Sequence, residues 1–172
     1  MSSLMKVFGF AIPFLLIAFV LRLTIFASPD PVVQPIAYNH NIHVEGEGLE
    51  CTDCHQRVEE SPRATLPDLE VCLDCHDSDP LADDSAEEAK LIAHIEAGSE
   101  IDWQRVYSVP DHVYFSHRRH VVSGDLECSN CHGPVGELTA PAEVPFYPLS
   151  MDACLDCHRK LEAKTDCLSC HR

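Results

Sequence analysis

The chain has 172 residues, with 12 lysines and arginines against 28 aspartates and glutamates, for a formal net charge of -16. So acidic a surface excludes nucleic acid and anionic lipid headgroups as partners and favours a partner with a basic docking face. Ten cysteines and eleven histidines are the second constraint, and their spacing is not random.

At the N-terminus, residues 7–27 are apolar except for Gly9, Pro13, Arg22 and Thr24. Twenty-one residues at helical rise make about 31 Å, the thickness of a bilayer's hydrocarbon core. Residues 7–21 would also fit the shorter apolar region of a cleaved signal peptide, but Ile25-Phe26-Ala27 lacks the small residue expected at the third-last position before a cut. The stretch is therefore expected to be a retained transmembrane helix. Lys6 sets an inside N-terminus and Arg22 snorkels near the outer end. The rest of the chain is then expected on the periplasmic face of the inner membrane, held off it by a stiff strap containing Pro29, Pro31 and Pro35.

Next comes Tyr38, then His40 and His43, and then the pentapeptide Cys51-Thr52-Asp53-Cys54-His55. The pentapeptide recurs with Cys72, Cys75 and His76, with Cys128, Cys131 and His132, with Cys154, Cys157 and His158, and with Cys167, Cys170 and His171, consuming all ten cysteines. Two thiols so spaced can add across the vinyl groups of a haem, and the histidine that follows is placed to ligate the iron. Zinc uses such pairs two at a time and would leave one of five over. A disulfide scaffold gives no reason for a histidine after every second cysteine. The reading is five covalently bound haem c groups, with about 145 residues outside the apolar segment, or about 29 per haem, too few for a separate core around each.

Residues 77–88 are acidic and contain Pro80, and read as a solvated linker, with docking of a basic partner as the alternative. Ser85 and Glu88 predict a capping box, Leu91, Ile92 and Ile95 share a helical face, and Gly98 ends a helix over residues 85–97. Trp103, Val106, Tyr107 and Val109 are expected to pack on haem faces ahead of His112. Phe115, His117, His120 and Cys128 then repeat Tyr38, His40, His43 and Cys51 at a spacing of 77 residues. A short helix is expected from about Ser150 to Leu161, and strand alternation is absent.

Five histidines follow the cysteine pairs as proximal ligands: His55, His76, His132, His158 and His171. Six remain for the distal positions. The two His-x-x-His pairs project from one side of a turn, and the assignment is His40, His43, His117 and His120 to the first four haems in order. For the fifth, His112, His94 and Met151 are candidates, or the iron stays open.

Phe115 to His120, Cys128 to His132, and the two motifs after them resemble the multihaem cytochromes of the c3 and c7 type. That resemblance implies a class III cytochrome c-like fold, mostly coil with short α-helices around a multihaem core. No histidine precedes Cys154 where the c7 pattern has one. The layout of an anchor (1–27), a two-haem module (28–76), an acidic linker and helix (77–112) and a three-haem module (113–172) is similar to the membrane-anchored pentahaem cytochrome subunits of alternative complex III and of related quinone reductase complexes. The resemblance implies electron transfer between integral quinone-binding and iron–sulfur subunits and a periplasmic acceptor or donor, with no catalytic side chain. A stand-alone membrane-anchored quinol dehydrogenase is the alternative, and an open-haem reductase of small molecules is a weaker one.

Overall fold

The computed structural model describes residues 15–17, 19, 21, 22, 30–81 and 85–171. The chain divides into two compact units, Met1–Pro31 and Val32–Arg172. In the first unit the described residues before Arg22 are helical, and Leu15, Leu16, Ile17, Phe19 and Leu21 are exposed. The membrane span expected at residues 7–27 lies for the most part outside the described residues, and among those described no helix is long and apolar enough to cross a membrane.

The second unit is built from short helices joined by coil. In chain order they are α1 (Cys51–Cys54), α2 (Leu69–Leu73), α3 (Ala86–Ala97), α4 (Ser129–His132), α5 (Met151–Lys160) and α6 (Cys167–Cys170). Two π-helical turns, Ile42–Gly46 and Arg119–Ser123, precede α1 and α4. Among the described residues extended backbone pairs only at an isolated antiparallel bridge between Val113 and His171.

The helices begin where short polar side chains can satisfy the free N–H groups of the first turn. Asp68, Ser85, Ser150 and Asp166 each accept from the backbone N–H three residues on, starting α2, α3, α5 and α6. α3 ends on Gly98 in the left-handed region (φ 59°), which glycine enters without steric cost. At its start Ser85 caps as expected. The carboxylate of Glu88, expected to close a capping box, accepts from Leu81 N–H at 2.8 Å and lies 3.3 Å from His76 Nδ1.

The apolar face of α3 decides its place. Leu91 joins Ile36, Leu69 and Ile101 in a buried cluster, with Cys72, Ile95 and Trp103 packed against it. Trp103, expected against a haem face, sits in this cluster, with its ring edge-on to Tyr38 at 6.4 Å. Two carboxylates reinforce the packing: Glu87 accepts from Ala37 N–H at 2.6 Å, and Glu100 from Leu69 N–H at 3.0 Å. The helix inside the acidic stretch is thus part of the core of the N-terminal half.

The two halves of the repeat interlock through the backbone. Asn41 N–H donates to Leu138 O at 2.9 Å, His117 N–H to Pro62 O at 3.0 Å, and Val32 N–H to Glu143 O at 2.8 Å. Apolar burial is sparse: Ile36, Val58, Leu69, Leu91 and Ile101 are the buried apolar side chains among the described residues. With so small a cluster, Leu91→Ala should cost about 2–4 kcal/mol. Denaturant unfolding followed by far-ultraviolet circular dichroism of the wild type and variant measures the loss.

Candidate haem-binding sites

Each Cys-x-x-Cys-His segment folds as one helical turn, so that both thiols fall on one side of it. The histidine N–H closes the turn onto the carbonyl of the first cysteine at 2.9 Å in His55, His76, His132 and His171. The fourth motif lies inside α5, which continues past it to Lys160.

The imidazoles meet in pairs. Ring centroids are 6.2 Å apart for His43 and His76, 6.3 Å for His117 and His132, 6.1 Å for His120 and His158, and 5.5 Å for His112 and His171. His40 is the electrostatic neighbour of His55; burial first, then His55 and His43, press its pKa down to about 4. Its Nδ1 is buried without a hydrogen-bond partner. Two imidazoles bonded to opposite sides of one metal at about 2.0 Å, with ring centres roughly 1.1 Å beyond the nitrogens, would have centroids about 6.2 Å apart. Three pairs fall close to that separation and His112–His171 is tighter, so the residues present fit a metal held between two imidazoles.

What orients the paired rings is the aromatic residue ahead of them. Tyr38 stacks on His43 at 4.4 Å and 26° and meets His40 edge-on at 4.7 Å and 84°. Phe115 repeats this with His120 at 4.5 Å and 23° and with His117 at 4.8 Å and 88°. The π turns complete the device: Glu47 N–H bonds Ile42 O, and Gly124 N–H bonds Arg119 O, each at 2.9 Å. His43 and His120 donate Nδ1–H to Asn39 O at 2.9 Å and Ser116 O at 2.8 Å. All these contacts recur at the same offset of 77 residues, and the wide turns were not foreseen from the sequence.

On the proximal side His55 donates Nδ1–H to Thr65 O at 2.8 Å and His158 to Lys164 O at 2.6 Å, which leaves Nε2 as the free nitrogen. His76 differs, because a carboxylate, Glu88, stands beside its Nδ1, with a side chain only 9% exposed. His117 Nδ1 lies 3.3 Å from Pro62 O and 3.2 Å from Ala64 N–H. A metal held by its Nε2 would select the tautomer that donates to Pro62.

Tyr107 meets the His132 ring edge-on at 4.6 Å, and its hydroxyl accepts from Phe146 N–H at 2.8 Å. Of the other two residues weighed as the fifth distal ligand, His94 bonds Ser99 through Nδ1 at the end of α3, and Met151 is exposed at the start of α5. His112 is the one whose ring lies against His171.

The motifs are neighbours in an order that differs from chain order. Tyr38 joins the first and second through His40 and His43, and Phe115 joins the third and fourth through His117 and His120. Pro62 and Ala64, after the first motif, reach His117. Tyr114 N–H donates to Cys170 O at 2.8 Å, which brings in the fifth. The thiols agree: burial raises those of Cys72, Cys128 and Cys154, and the next contribution in each comes from Cys54, Cys51 and Cys170 respectively. The succession in space is second, first, third, fourth, fifth.

The chain matches the family of cytochrome c7 and related cytochrome c over residues 36–90 and 113–172. The chain belongs to this family. In this cytochrome the two matched stretches are the two copies of the repeat, and the first extends into α3. A similar protein is the "Menaquinone reductase, multiheme cytochrome c subunit" of Nitratidesulfovibrio vulgaris strain Hildenborough, 40% identical over 100 residues, or 58% of this chain and 45% of that protein. The cytochrome thus spans less than half the length of this relative.

Gly133, directly after His132, has φ +66°, and a Cβ there would lie 2.8 Å from Phe146 Cγ. Gly133→Ala should destabilise the cytochrome by about 1–3 kcal/mol. Adding Phe146→Ala should restore part of the loss, which a double-mutant cycle of thermal melts measures.

Proposed function

We propose that this cytochrome carries five haem c groups, each held by a cysteine pair and two imidazoles, and serves as an electron wire in a quinone-linked membrane complex. The observation that carries the reading is the meeting of four proximal histidines with distal ones, His76 with His43, His132 with His117, His158 with His120 and His171 with His112, while His40 is the electrostatic neighbour of His55. When bound, haem iron supplies reversible one-electron exchange. The chain's own residues supply the rest. The cysteine thiols would tether the haems and the paired histidines would ligate the iron, while carbonyls such as Thr65 O and Lys164 O fix the ring tautomers.

With His112 against His171, the fifth position has a distal imidazole, which favours electron transfer over binding of a small substrate. The printed name of the similar protein, a menaquinone reductase subunit, supports quinone-reactive partners in the membrane. Within the proposal, residues 7–27 are a single-pass anchor and the haem-bearing part lies on the periplasmic face. The modules are 28–76 and 113–172, joined by residues 77–112. Integral quinone-binding and iron–sulfur subunits stand at one side and a periplasmic redox partner at the other.

Purification of the full chain from detergent-solubilised native membranes tests this. Expected are five haems per chain by pyridine haemochrome assay and co-migration with polytopic subunits. A lone membrane species that oxidises quinol would replace the wire by a stand-alone quinol dehydrogenase, and a soluble one would remove the anchor.

Glu88 gives a second test. A carboxylate beside His76 Nδ1 strengthens that imidazole as a donor and favours the oxidised metal. Glu88→Gln should therefore raise the midpoint potential of one haem by about 59 mV, a tenfold change in its one-electron equilibrium, in a spectroelectrochemical titration.

A further inference from the structure

The loop after the first motif and the segment after α3 together carry a feature that haem attachment does not use. Arg57, Arg63 and Arg105 line a cavity of about 420 Å³ together with Ser61, Ala64 and Thr65. In a chain with 28 acidic and 12 basic side chains, three arginines line this one cavity. Among the described residues none of them has a carboxylate within ion-pair distance, whereas Lys90 and Arg159 pair with Glu87 and Asp156. Like charges brought together without a counter-ion repel one another, and an arginine fork is the geometry that receives a carboxylate on two parallel N–H bonds.

The cavity wall is also the wall of two haem sites. Thr65 O accepts from His55 Nδ1, and Ala64 N–H lies 3.2 Å from His117 Nδ1. Residues 64 and 65, adjacent in the chain, thus touch the imidazoles of the third and first sites, and the two sites form one neighbourhood. Each haem c brings two carboxylates of its own, and those of these two sites are the nearest anions the proposed assembly would supply.

We propose that Arg57, Arg63 and Arg105 form a carboxylate-binding pocket that receives haem propionates at the crossing between the two halves of the repeat. The inference rests on the five-haem reading above. Paired guanidiniums there neutralise negative charge beside the first and third sites and so favour the reduced metal at the step where the two copies of the repeat meet.

The test uses the full chain, haem-loaded, with Arg57→Gln, Arg63→Gln and Arg105→Gln singly and together, and Arg105→Lys as the charge-conserving control. Haem carboxylates are isotope-labelled through the biosynthetic precursor, and reduced-minus-oxidised infrared spectra and potentiometric titrations are recorded. Expected is a shifted labelled carboxylate band in the triple variant. A fall in midpoint potential should accompany it in some but not all haems, of the order of a tenfold equilibrium change, about 59 mV. Arg105→Lys should keep most of the wild-type potential.

Unchanged bands and potentials with all five haems present would overturn the pocket alone. So would a saturable shift of wild-type potentials on adding inorganic phosphate that the triple variant abolishes, since the anion would then come from solution. Fewer than five haems in the wild type would overturn the reading beneath it. The haem count, made on the same sample, separates the two failures.

Discussion

Everything in the second unit depends on one small constellation, an aromatic ring that fixes two imidazoles at once. Tyr38 and Phe115 each stack on one histidine and present an edge to another two residues on. A side chain with few rotamers thereby sets the directions of two others that are to face different partners. The π turn after each ring is the backbone's share, because its wider loop and the i−4 carbonyls of Asn39 and Ser116 anchor Nδ1 of the second histidine. Two copies of this device hold His40, His43, His117 and His120, four of the five candidate distal histidines. The fifth is assembled differently, by the bridge that lays Val113 beside His171 and the stacking of His112.

Protein core and prosthetic core divide the work of holding the chain. The apolar cluster of Ile36, Leu69, Leu91 and Ile101 lies on the side of the second motif, where α3 packs on α2. No comparable buried cluster is found near α5 or α6 among the described residues, and Met151, Leu161 and Leu168 there are exposed. The C-terminal half therefore leans on backbone hydrogen bonds to the N-terminal half and on the haems its motifs would tether. This accounts for the interlocking through Asn41, His117 and Val32, which a pair of independent modules would not need.

Much of this was legible in the residues. Cysteine spacing marked the turns that fold alike, the repeat marked the two HxxH pairs, and Ser85, Gly98 and Ser150 bounded the helices they were expected to bound. The rest depended on distance along the chain. Acidic residues 77–88 read as a solvated linker because charge dominates that window, but the apolar face of α3 begins just beyond it and draws Glu88 inward to His76. Arg57 and Arg63 lie near each other in sequence, but nothing local signals that Arg105 joins them. The π turns were hidden because their hydrogen bonds follow no residue preference; they are imposed by what Tyr38 and Phe115 hold in place.

The order of the motifs in space gives the architecture its functional sense. Chain order would put the second and third motifs next to each other, but they are separated by α3 and the residues after it, and Pro62 and Ala64 bring the first motif to the third instead. The second motif, with Glu88 at its histidine, becomes one end of the succession, and the fifth becomes the other. On the proposed reading, a carboxylate at one end and arginines at the central crossing would bias the metal sites in opposite senses, the first towards the oxidised and the second towards the reduced state. Under the proposed function, charge placement within a strongly acidic chain would grade the sites along the wire, even with two imidazoles at each of them.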